Sequence, residues 1–265
     1  MIQLNTKKMA ARVEDGIGWV TFNNPERRNA VSLEMWQALG DIMQAFEADD
    51  SVRVVVLTGA GEKSFVAGAD ISEFEEQRAS SEQRQSYGAI SGRGYSALNR
   101  CTKPVIAMIR GYCIGGGLLI ALAADVRFAT PGSKFGVPAA KLGLGYDYPG
   151  VAGLARLVGP ARTADILYSA RQLDADEAAR YGLIEFVVAD AQLEQSVTEY
   201  AHSIAHNAPL TIRAVKASLQ AYSRYTQRSD LAEVEEMVKR CYDSEDYREG
   251  RRAFMEKRSP EFRGR

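Results

Sequence analysis

The alternation of short β-branched runs with amphipathic stretches, which continues to about residue 200, restricts the fold of this chain more than any other feature. Four runs rich in valine, isoleucine and aromatic residues predict strands at 17–22, 52–58, 105–109 and 126–129. Strands that alternate with helices form a sheet that is at least partly parallel and covered on both faces. The pattern therefore predicts an α/β fold and leaves open whether it is spiral or layered.

Two helices are marked by capping residues. Ser32 can cap a helix between the first two strands, because apolar residues then recur at spacings of three and four. Those residues are Leu33, Trp36, Leu39, Met43 and Phe46. Asp174 followed by Glu177 forms a capping-box pattern, and that helix is predicted to end at Gly182 before a strand at 184–188.

The composition and pattern of the sequence change near residue 193, where glycine nearly disappears and the β-branched runs stop. The remaining segments predict four helices, at 193–206, 209–225, 229–242 and 246–257. We therefore predict two domains, an α/β body over 1–200 and an all-helical tail over 201–265. A tail this thin cannot bury itself, so it should pack on its own body or on another subunit.

Composition excludes several classes of protein. Apolar residues make up 46% of the 265 residues, which is enough for a hydrophobic core. Lys and Arg number 33 against 34 Asp and Glu, a balance that argues against nucleic acid or an anionic membrane as the partner. No apolar run approaches a membrane span, and the polar start lacks the core of a signal peptide. We expect a cytoplasmic protein that acts on a small molecule.

Nothing in the sequence predicts a metal site. Cys101, Cys113 and Cys241 are odd in number and lack CxxC spacing, which is typical of reduced, buried thiols. His202 and His206 lie one helical turn apart, but no Glu stands beside the first histidine as HExxH chemistry requires.

Two glycine clusters each follow a predicted strand. The segment 111–117 (GYCIGGG) opens an apolar helix, and the segment 64–74 (SFVAGADISEF) places Asp70 or Ser72 as a helix cap. Each turn can present free backbone N–H groups at a helix N-terminus. If the two strands are adjacent, two N–H groups can converge on one oxygen and form an oxyanion hole. Alternatively, the glycines only allow close packing.

These two turns, together with Lys103-Pro104, resemble the crotonase, or enoyl-CoA hydratase/isomerase, family. The likeness extends over nearly the whole chain through further motifs at 23–30, 135–136, 142–143, 174–183 and 247–258. The order and spacing of these motifs are specific only when taken together. The resemblance implies a spiral of ββα repeats with a C-terminal helical region for trimerisation, commonly assembled as a dimer of trimers.

The resemblance also implies an acyl-CoA substrate of the kind handled in fatty acid metabolism, with no separate cofactor because coenzyme A is part of the substrate. The backbone N–H groups of Ala69 and Gly116 would hold the thioester carbonyl as charge moves onto its oxygen. Loss of one such donor typically lowers a rate about 10²–10³-fold. The surrounding side chains then decide which reaction follows.

Hydratases of the family use two glutamates to hold and activate water, and the resemblance places Leu119 and Ala139 at those positions. Both residues are apolar, which disfavours ordinary two-glutamate hydration. Tyr146 falls where decarboxylase-like members carry a pocket tyrosine. Asp147 falls where dienoyl-CoA isomerases carry a proton-transferring aspartate, whose pKa an apolar pocket would raise. We expect decarboxylation or double-bond isomerisation through an enolate.

Three alternatives to that expectation stay open. The chain could hydrate enoyl-CoA with other acid and base groups, or it could bind acyl-CoA without catalysis. Tyr146 and Asp147 could also be ordinary turn residues, since they lie among glycines just before Pro149.

Six residues match positions that line the coenzyme A groove in the family. Four lie before or within the glycine turn of segment 64–74. The other two lie near the C-terminus, where they could reach the coenzyme A of a neighbouring subunit. They are Arg28, Asn29, Ala67 and Asp70, and Phe254 and Lys257. Asp70 could instead be only a helix cap, and Lys257 only a solvated charge on a basic face.

Overall fold

Ten strands in two sheets organise the part of the chain that the computed structural model describes, which comprises residues 4–70, 81–224, 239, 242–258 and 260. The larger sheet has the order β1-β2-β3-β5-β7-β10, and the smaller sheet the order β4-β6-β8-β9. The larger sheet contains β1 Met9–Glu14, β2 Ile17–Phe22, β3 Val54–Gly59, β5 Val105–Ile109, β7 Val126–Ala129 and β10 Phe186–Val187. The smaller sheet contains β4 Ser64–Val66, β6 Tyr112–Ile114, β8 Lys134–Gly136 and β9 Leu173–Asp174.

Consecutive strands alternate between the sheets, from β3 to β4, from β5 to β6 and from β7 to β8. All pairings are parallel except β1 with β2 and β8 with β9. Each repeat of two strands leads into a helical segment, so the chain advances as a spiral. The predicted α/β fold with ββα repeats is confirmed.

Nine α-helices complete the described residues. They are α1 Leu33–Ala48, α2 Ser81–Arg100, α3 Gly116–Leu122, α4 Tyr148–Val158, α5 Pro160–Ser169, α6 Ala175–Tyr181, α7 Leu193–Ala205, α8 Pro209–Arg224 and α9 Glu245–Met255. A short 3₁₀ helix, Pro138–Leu142, follows β8.

The larger sheet is buried on both faces because its strand residues are apolar on both sides. In β3, Val55 and Leu57 join the cluster that contains α1, while Val54 and Val56 face the other way. That second face is covered by α7. The helix α7 is therefore packed on the body, and it runs across the predicted domain boundary at residue 200.

The chain after α7 is anchored to the body by polar contacts and by a glycine. Lys216 of α8 is buried and donates hydrogen bonds to the carbonyl of Lys103 (2.7 Å) and to the carboxylate of Asp125 (2.8 Å). In α9, a Cβ added to Gly250 would lie 2.4 Å from the carbonyl oxygen of Leu142. The helix α9 thus packs directly against the 3₁₀ helix that follows β8.

The predicted elements agree with the structure where local patterns are strong. The strands at 17–22, 105–109 and 126–129 are confirmed, and the strand at 52–58 is found as β3. The strand at 184–188 shortens to β10. Asp174 caps α6 as predicted, and its side chain accepts from the N–H of Glu177 at 2.8 Å. Most of the helix predicted at 229–242 lies outside the described residues, as do Ser72 and Cys241.

Ser32 occupies the predicted N-cap position of α1, but its hydroxyl makes no cap bond. The hydroxyl is buried without a hydrogen-bond partner among the described residues, so the helix start is held by backbone bonds alone. No helix within the described ranges is long and apolar enough to cross a membrane.

Candidate active site

The two glycine turns lie side by side because β4 and β6, the strands that lead directly into them, pair in parallel in the smaller sheet. The connections from β3 to β4 and from β5 to β6 are too tight for side chains at their glycines. A Cβ added to Gly59 would lie 2.3 Å from the carbonyl oxygens of Ser64 and Phe65, and one at Gly111 would lie 2.1 Å from the carbonyl oxygen of Lys63. The backbone therefore folds back on itself at the end of each strand.

Ala69 presents its N–H away from the neighbouring chain segment. Val31 forms an isolated parallel bridge with Ala69, in which the N–H of Val31 donates to Gly68 (2.8 Å) and the N–H of Asp70 donates to Val31 (3.0 Å). A parallel bridge uses the peptide groups on either side of the central residue. The N–H of Ala69 itself has no backbone acceptor among the described residues.

Gly116 is the first residue of α3, so its N–H also lies outside the ladder of bonds within the helix. The preceding Gly115 has a positive φ of 55° and donates to the carbonyl of Gly136 at 2.8 Å. A Cβ added to Gly116 would lie 3.8 Å from the backbone nitrogen of Ala69. The structure thus brings the two predicted N–H donors into neighbouring positions.

Tyr146 lies in the loop before α4 and packs against the main hydrophobic core. Its ring rests on Gly150, where an added Cβ would lie 2.7 Å from Cε1 of the ring. Its hydroxyl is buried and has no hydrogen-bond partner among the described residues. Burial raises the pKa of Tyr146, and the nearby Tyr95 and Asp147 raise it further. The phenol therefore keeps its proton well above neutral pH.

Asp147 is exposed and occupies the N-cap position of α4. The expectation that an apolar pocket surrounds its carboxylate is therefore wrong. The helix start explains the orientation, since an N-cap residue stands outside the helix with extended backbone, here at φ −66° and ψ 149°.

Leu119 and Ala139 lie close to the glycine turn. Leu119 is half-buried one turn into α3, and its N–H donates to the carbonyl of Gly115 at 3.0 Å. Ala139 is buried in the 3₁₀ helix after β8. The ring of Pro138, its neighbour, comes within 3.9 Å of a Cβ built on Gly115. Both side chains are apolar and add no acid or base there.

Arg28 faces a cavity beside the smaller sheet. Its backbone is left-handed at φ 53°, and its carbonyl accepts from the N–H of Ala67 at 3.1 Å. Its guanidinium lies over the ring of Tyr112, 5.0 Å from the ring centre, and both residues line a cavity of about 330 Å³ with Lys63 and Lys134. Glu62 also lines this cavity, so three cationic side chains and one carboxylate surround it.

Asn29 and Asp70 lie inside the turn rather than on its surface. The Asn29 side chain is fully buried and donates to the carbonyls of Ala60 (3.0 Å) and Ser64 (2.8 Å). These bonds hold the Asn29 side chain in the interior, so it does not reach the surface of the turn. Asp70 is buried and pairs with Arg27 at 3.1 Å.

Phe254 and Lys257 lie at the end of α9 and are both exposed. Lys257 adopts a left-handed backbone at φ 55°, just after the helix ends. Their exposure on this chain agrees with a surface that another molecule can reach.

Two residues of the site escaped the sequence analysis. Tyr95 lies in α2, close enough to Tyr146 to raise its pKa, and no local pattern predicted that helix. Gly150 could have been found from its spacing, because it follows Tyr146 by one helical turn inside an otherwise ordinary helix start. No group of three His, Cys, Asp or Glu that could hold a metal ion occurs in the described part of the chain.

The chain belongs to the crotonase, or enoyl-CoA hydratase/isomerase, family, because the family model described as Enoyl-CoA hydratase/isomerase matches residues 12–265. A short-chain-enoyl-CoA hydratase of Clostridium acetobutylicum is 37% identical over 251 residues, which cover 94% of each chain. A carnitinyl-CoA dehydratase of Proteus mirabilis is 37% identical, over 90% of this chain and 92% of its own.

Solved structures show the same fold. A methylmalonyl-CoA decarboxylase in complex with 2-nitronate-propionyl-CoA superposes with a TM-score of 0.88 at 28% identity, covering 98% of this chain and 99% of its own. An enoyl-CoA hydratase/carnithine racemase from Magnetospirillum magneticum has a TM-score of 0.82 at 39% identity, covering 98% of this chain and 97% of its own.

Proposed function

We propose that the chain binds an acyl-CoA thioester and stabilises its enolate, with the thioester oxygen accepting hydrogen bonds from the N–H groups of Ala69 and Gly116. The support is that both N–H groups lack backbone acceptors among the described residues and belong to adjoining turns. Membership of the family adds to it, as do relatives whose names are all those of CoA ester enzymes. Two such donors lower the energy of the negative charge that develops on the oxygen.

We propose decarboxylation of a malonyl-type CoA ester as the reaction. The observation that carries this proposal is the buried hydroxyl of Tyr146, which has no partner among the described residues and stands in an apolar setting. A buried polar group without a partner costs about 1–3 kcal/mol, and a catalytic role is one reason for a protein to keep such a group. Its raised pKa leaves it a neutral proton donor.

In the proposed step, the bond between C2 of the substrate and its free carboxylate breaks and carbon dioxide leaves. The electron pair moves into the enolate, whose oxygen is held by the two backbone donors. The hydroxyl of Tyr146 then gives its proton to C2, because a thioester enolate is far more basic than a phenolate, and water restores the phenol. Apolar neighbours such as Leu119 and Ala139 favour movement of the negative charge from the carboxylate to the enolate oxygen, since an apolar setting destabilises the carboxylate and the backbone donors stabilise the enolate.

Hydration of a 2-enoyl-CoA is the second candidate, and the names of the curated relatives favour it. It requires a side chain that activates water, and Leu119 and Ala139 supply none. Isomerisation by Asp147 is less well supported, because that carboxylate is exposed at the start of α4.

The proposal is tested by incubating the purified protein with methylmalonyl-CoA, a 3-enoyl-CoA and a 2-enoyl-CoA and following products by mass spectrometry. We expect turnover of methylmalonyl-CoA, lowered about 10²–10⁴-fold by Tyr146→Phe. Tyr168→Phe is the matched control, because Tyr168 is 84% exposed, and it should leave the rate unchanged. Hydration of the 2-enoyl-CoA that Tyr146→Phe does not affect would contradict the assignment.

We also propose that the chain assembles as a homotrimer or a dimer of trimers. The outer side of α8 leaves Val215 and Leu219 more than half exposed, at 54% and 62%, which is unusual for an isolated soluble helix. Light scattering should give a mass of three or six chains, and replacing both residues by Ser should lower it. A monomer at all concentrations would contradict the assembly.

A further inference from the structure

A second cavity lies at the opposite edge of the larger sheet, where its strands begin, and it is separate from the glycine turns at the strand ends. Its volume is about 290 Å³, and it is enclosed by the segments before β3 and β5 and by the junction of α7 with α8. Its lining residues are Asp50, Val52, Arg53, Lys103, Pro104, Ile204, Asn207, Pro209, Leu210, Ile212 and Arg213.

Three cations surround this cavity. Lys103 is only 2% exposed, and its ammonium donates to the carbonyl oxygens of Phe46 and Asp49 and to no carboxylate among the described residues. Burial lowers the pKa of Lys103, and the positive charge of Arg213 lowers it further. The like charges of Lys103 and Arg213 therefore repel one another at this cavity.

The carboxylates near Lys103 are engaged elsewhere. Glu47 accepts hydrogen bonds from the hydroxyl and the N–H of Thr102, and Asp49 accepts from Ser51 at 2.7 Å. Both raise the pKa of Lys103 at a distance, without pairing with it. The positive charge at the cavity is therefore not neutralised within hydrogen-bond range.

The two arginines of the cavity lack counter-ions as well. Neither the guanidinium of Arg53 nor that of Arg213 makes an ion pair or hydrogen bond within the described ranges, although Asp50 also lines the cavity. Both residues are half-buried. A half-buried guanidinium normally finds a carboxylate or a phosphate, because its planar fork matches their two oxygens.

The rest of the wall is apolar, which narrows the choice of anion. Val52, Pro104, Ile204, Leu210 and Ile212 form it. An inorganic phosphate would satisfy the arginines but leave this wall in contact with water. A carboxylate that carries a short hydrocarbon chain would cover both kinds of surface.

We propose that this cavity binds a small organic acid, with its carboxylate between Arg53 and Arg213 and its hydrocarbon chain against the apolar wall. The site is independent of the proposed reaction, because its residues lie at the other end of the strands. The ammonium of Lys103 beneath it adds long-range attraction for the anion.

The test is a ligand-observed NMR titration of the full-length protein with butyrate, butyramide and inorganic phosphate, in the presence of excess free coenzyme A to occupy the first site. We expect millimolar binding of butyrate, and little binding of the neutral amide or of phosphate. Arg53→Gln and Arg213→Gln should each weaken butyrate binding about tenfold or more. Arg180→Gln, an exposed arginine of α6, is the matched control and should bind as the parent does.

Thermal unfolding of each variant shows whether it is folded, and the comparison is made among variants with melting temperatures close to that of the parent protein. Failure of butyrate to bind would overturn the proposal, as would butyrate binding that persists in both glutamine variants. Phosphate binding as tight as that of butyrate would overturn the assignment of an organic acid, because the cavity would then bind small anions without regard to a hydrocarbon chain.

Discussion

The glycine turns and the loop at 143–147 are both assigned to the proposed site, yet they contribute to it in different ways. The turns offer backbone N–H groups, which any residue except proline can supply, and their glycines are required by contacts as short as 2.0 Å between an added Cβ on Gly117 and the carbonyl oxygen of Val66. The loop offers the side chains of Tyr146 and Asp147, and one of the two faces solvent. Packing therefore sets the backbone part of such a site, while its chemistry depends on the orientation of single side chains.

The largest effect is expected when one backbone N–H donor is removed without disturbing its turn. Gly116→Pro does so, because proline lacks the N–H and is tolerated at the first position of a helix. We expect a loss of about 10²–10³-fold in turnover. Gly116→Ala is the matched control, since its Cβ would meet only ordinary contacts at 3.7 Å or more and the N–H remains. Equal losses in both variants would show that space, not the donor, matters.

Gly117→Ala tests whether the close packing of the turn requires glycine at that position. The added methyl would collide with the carbonyl of Val66, and overpacking of this kind costs about 1–3 kcal/mol or more in the free energy of unfolding. Urea unfolding followed by circular dichroism measures the effect. A variant as stable as the parent would mean that the turn can shift, and that its geometry is not set by the glycine.

The loop side of the comparison is tested by pH. Burial raises the pKa of Tyr146, so the phenol should stay protonated where an exposed tyrosine ionises, near pH 10. We expect turnover of a malonyl-type ester to show no loss from phenol ionisation up to about pH 10. A fall in the rate centred between neutral pH and pH 9 that disappears in Tyr146→Phe would contradict the buried, neutral phenol.

The two loop residues should also differ from one another. Asp147→Asn removes a charge that is exposed, so we expect it to change the decarboxylation rate less than about threefold, within the range of surface charge effects. Steady-state kinetics beside Tyr146→Phe makes the comparison. A loss in Asp147→Asn as large as that in Tyr146→Phe would assign the proton transfer to the carboxylate.

Local sequence patterns predicted much of the fold and the backbone part of the site. The strands β2, β5 and β7 were found at their observed bounds because each is a continuous apolar run in a sheet covered on both faces. Both glycine turns were found because tight returns of the chain require glycine. The smaller sheet was missed, since its strands are two or three residues long and β6 lies inside a glycine cluster.

The side-chain part of the site was harder to predict, because orientation depends on tertiary contacts. The residue types alone do not show which of Tyr146 and Asp147 points inward. In the structure the ring of Tyr146 packs on Gly150, and Asp147 stands at the N-cap of α4. Asn29 stands next to Arg28, yet its side chain is buried because the amide donates hydrogen bonds to the carbonyls of Ala60 and Ser64. The helix α2 escaped prediction because its glycines, Gly88, Gly92 and Gly94, lower its helix propensity.

Substitution of the glycines in α2 should change the stability of the protein least, and in the opposite direction to substitution of the glycines in the turns. A Cβ added to Gly88 or Gly92 would meet nothing within 4 Å, and neither has a positive φ. We expect Gly88→Ala and Gly92→Ala each to stabilise the protein by about 0.5–1 kcal/mol, because alanine favours the helix. Chemical unfolding measures the gain, and a loss of stability in both would indicate that these positions are covered in the assembled protein.

A crystal structure with a non-reactive acyl-CoA thioester analogue bound measures most directly whether the two backbone N–H groups hold the thioester oxygen. The account predicts the carbonyl oxygen about 2.7–3.1 Å from the backbone nitrogens of both Ala69 and Gly116. An analogue that is fully occupied, with that oxygen turned to solvent and touching neither nitrogen, would contradict it.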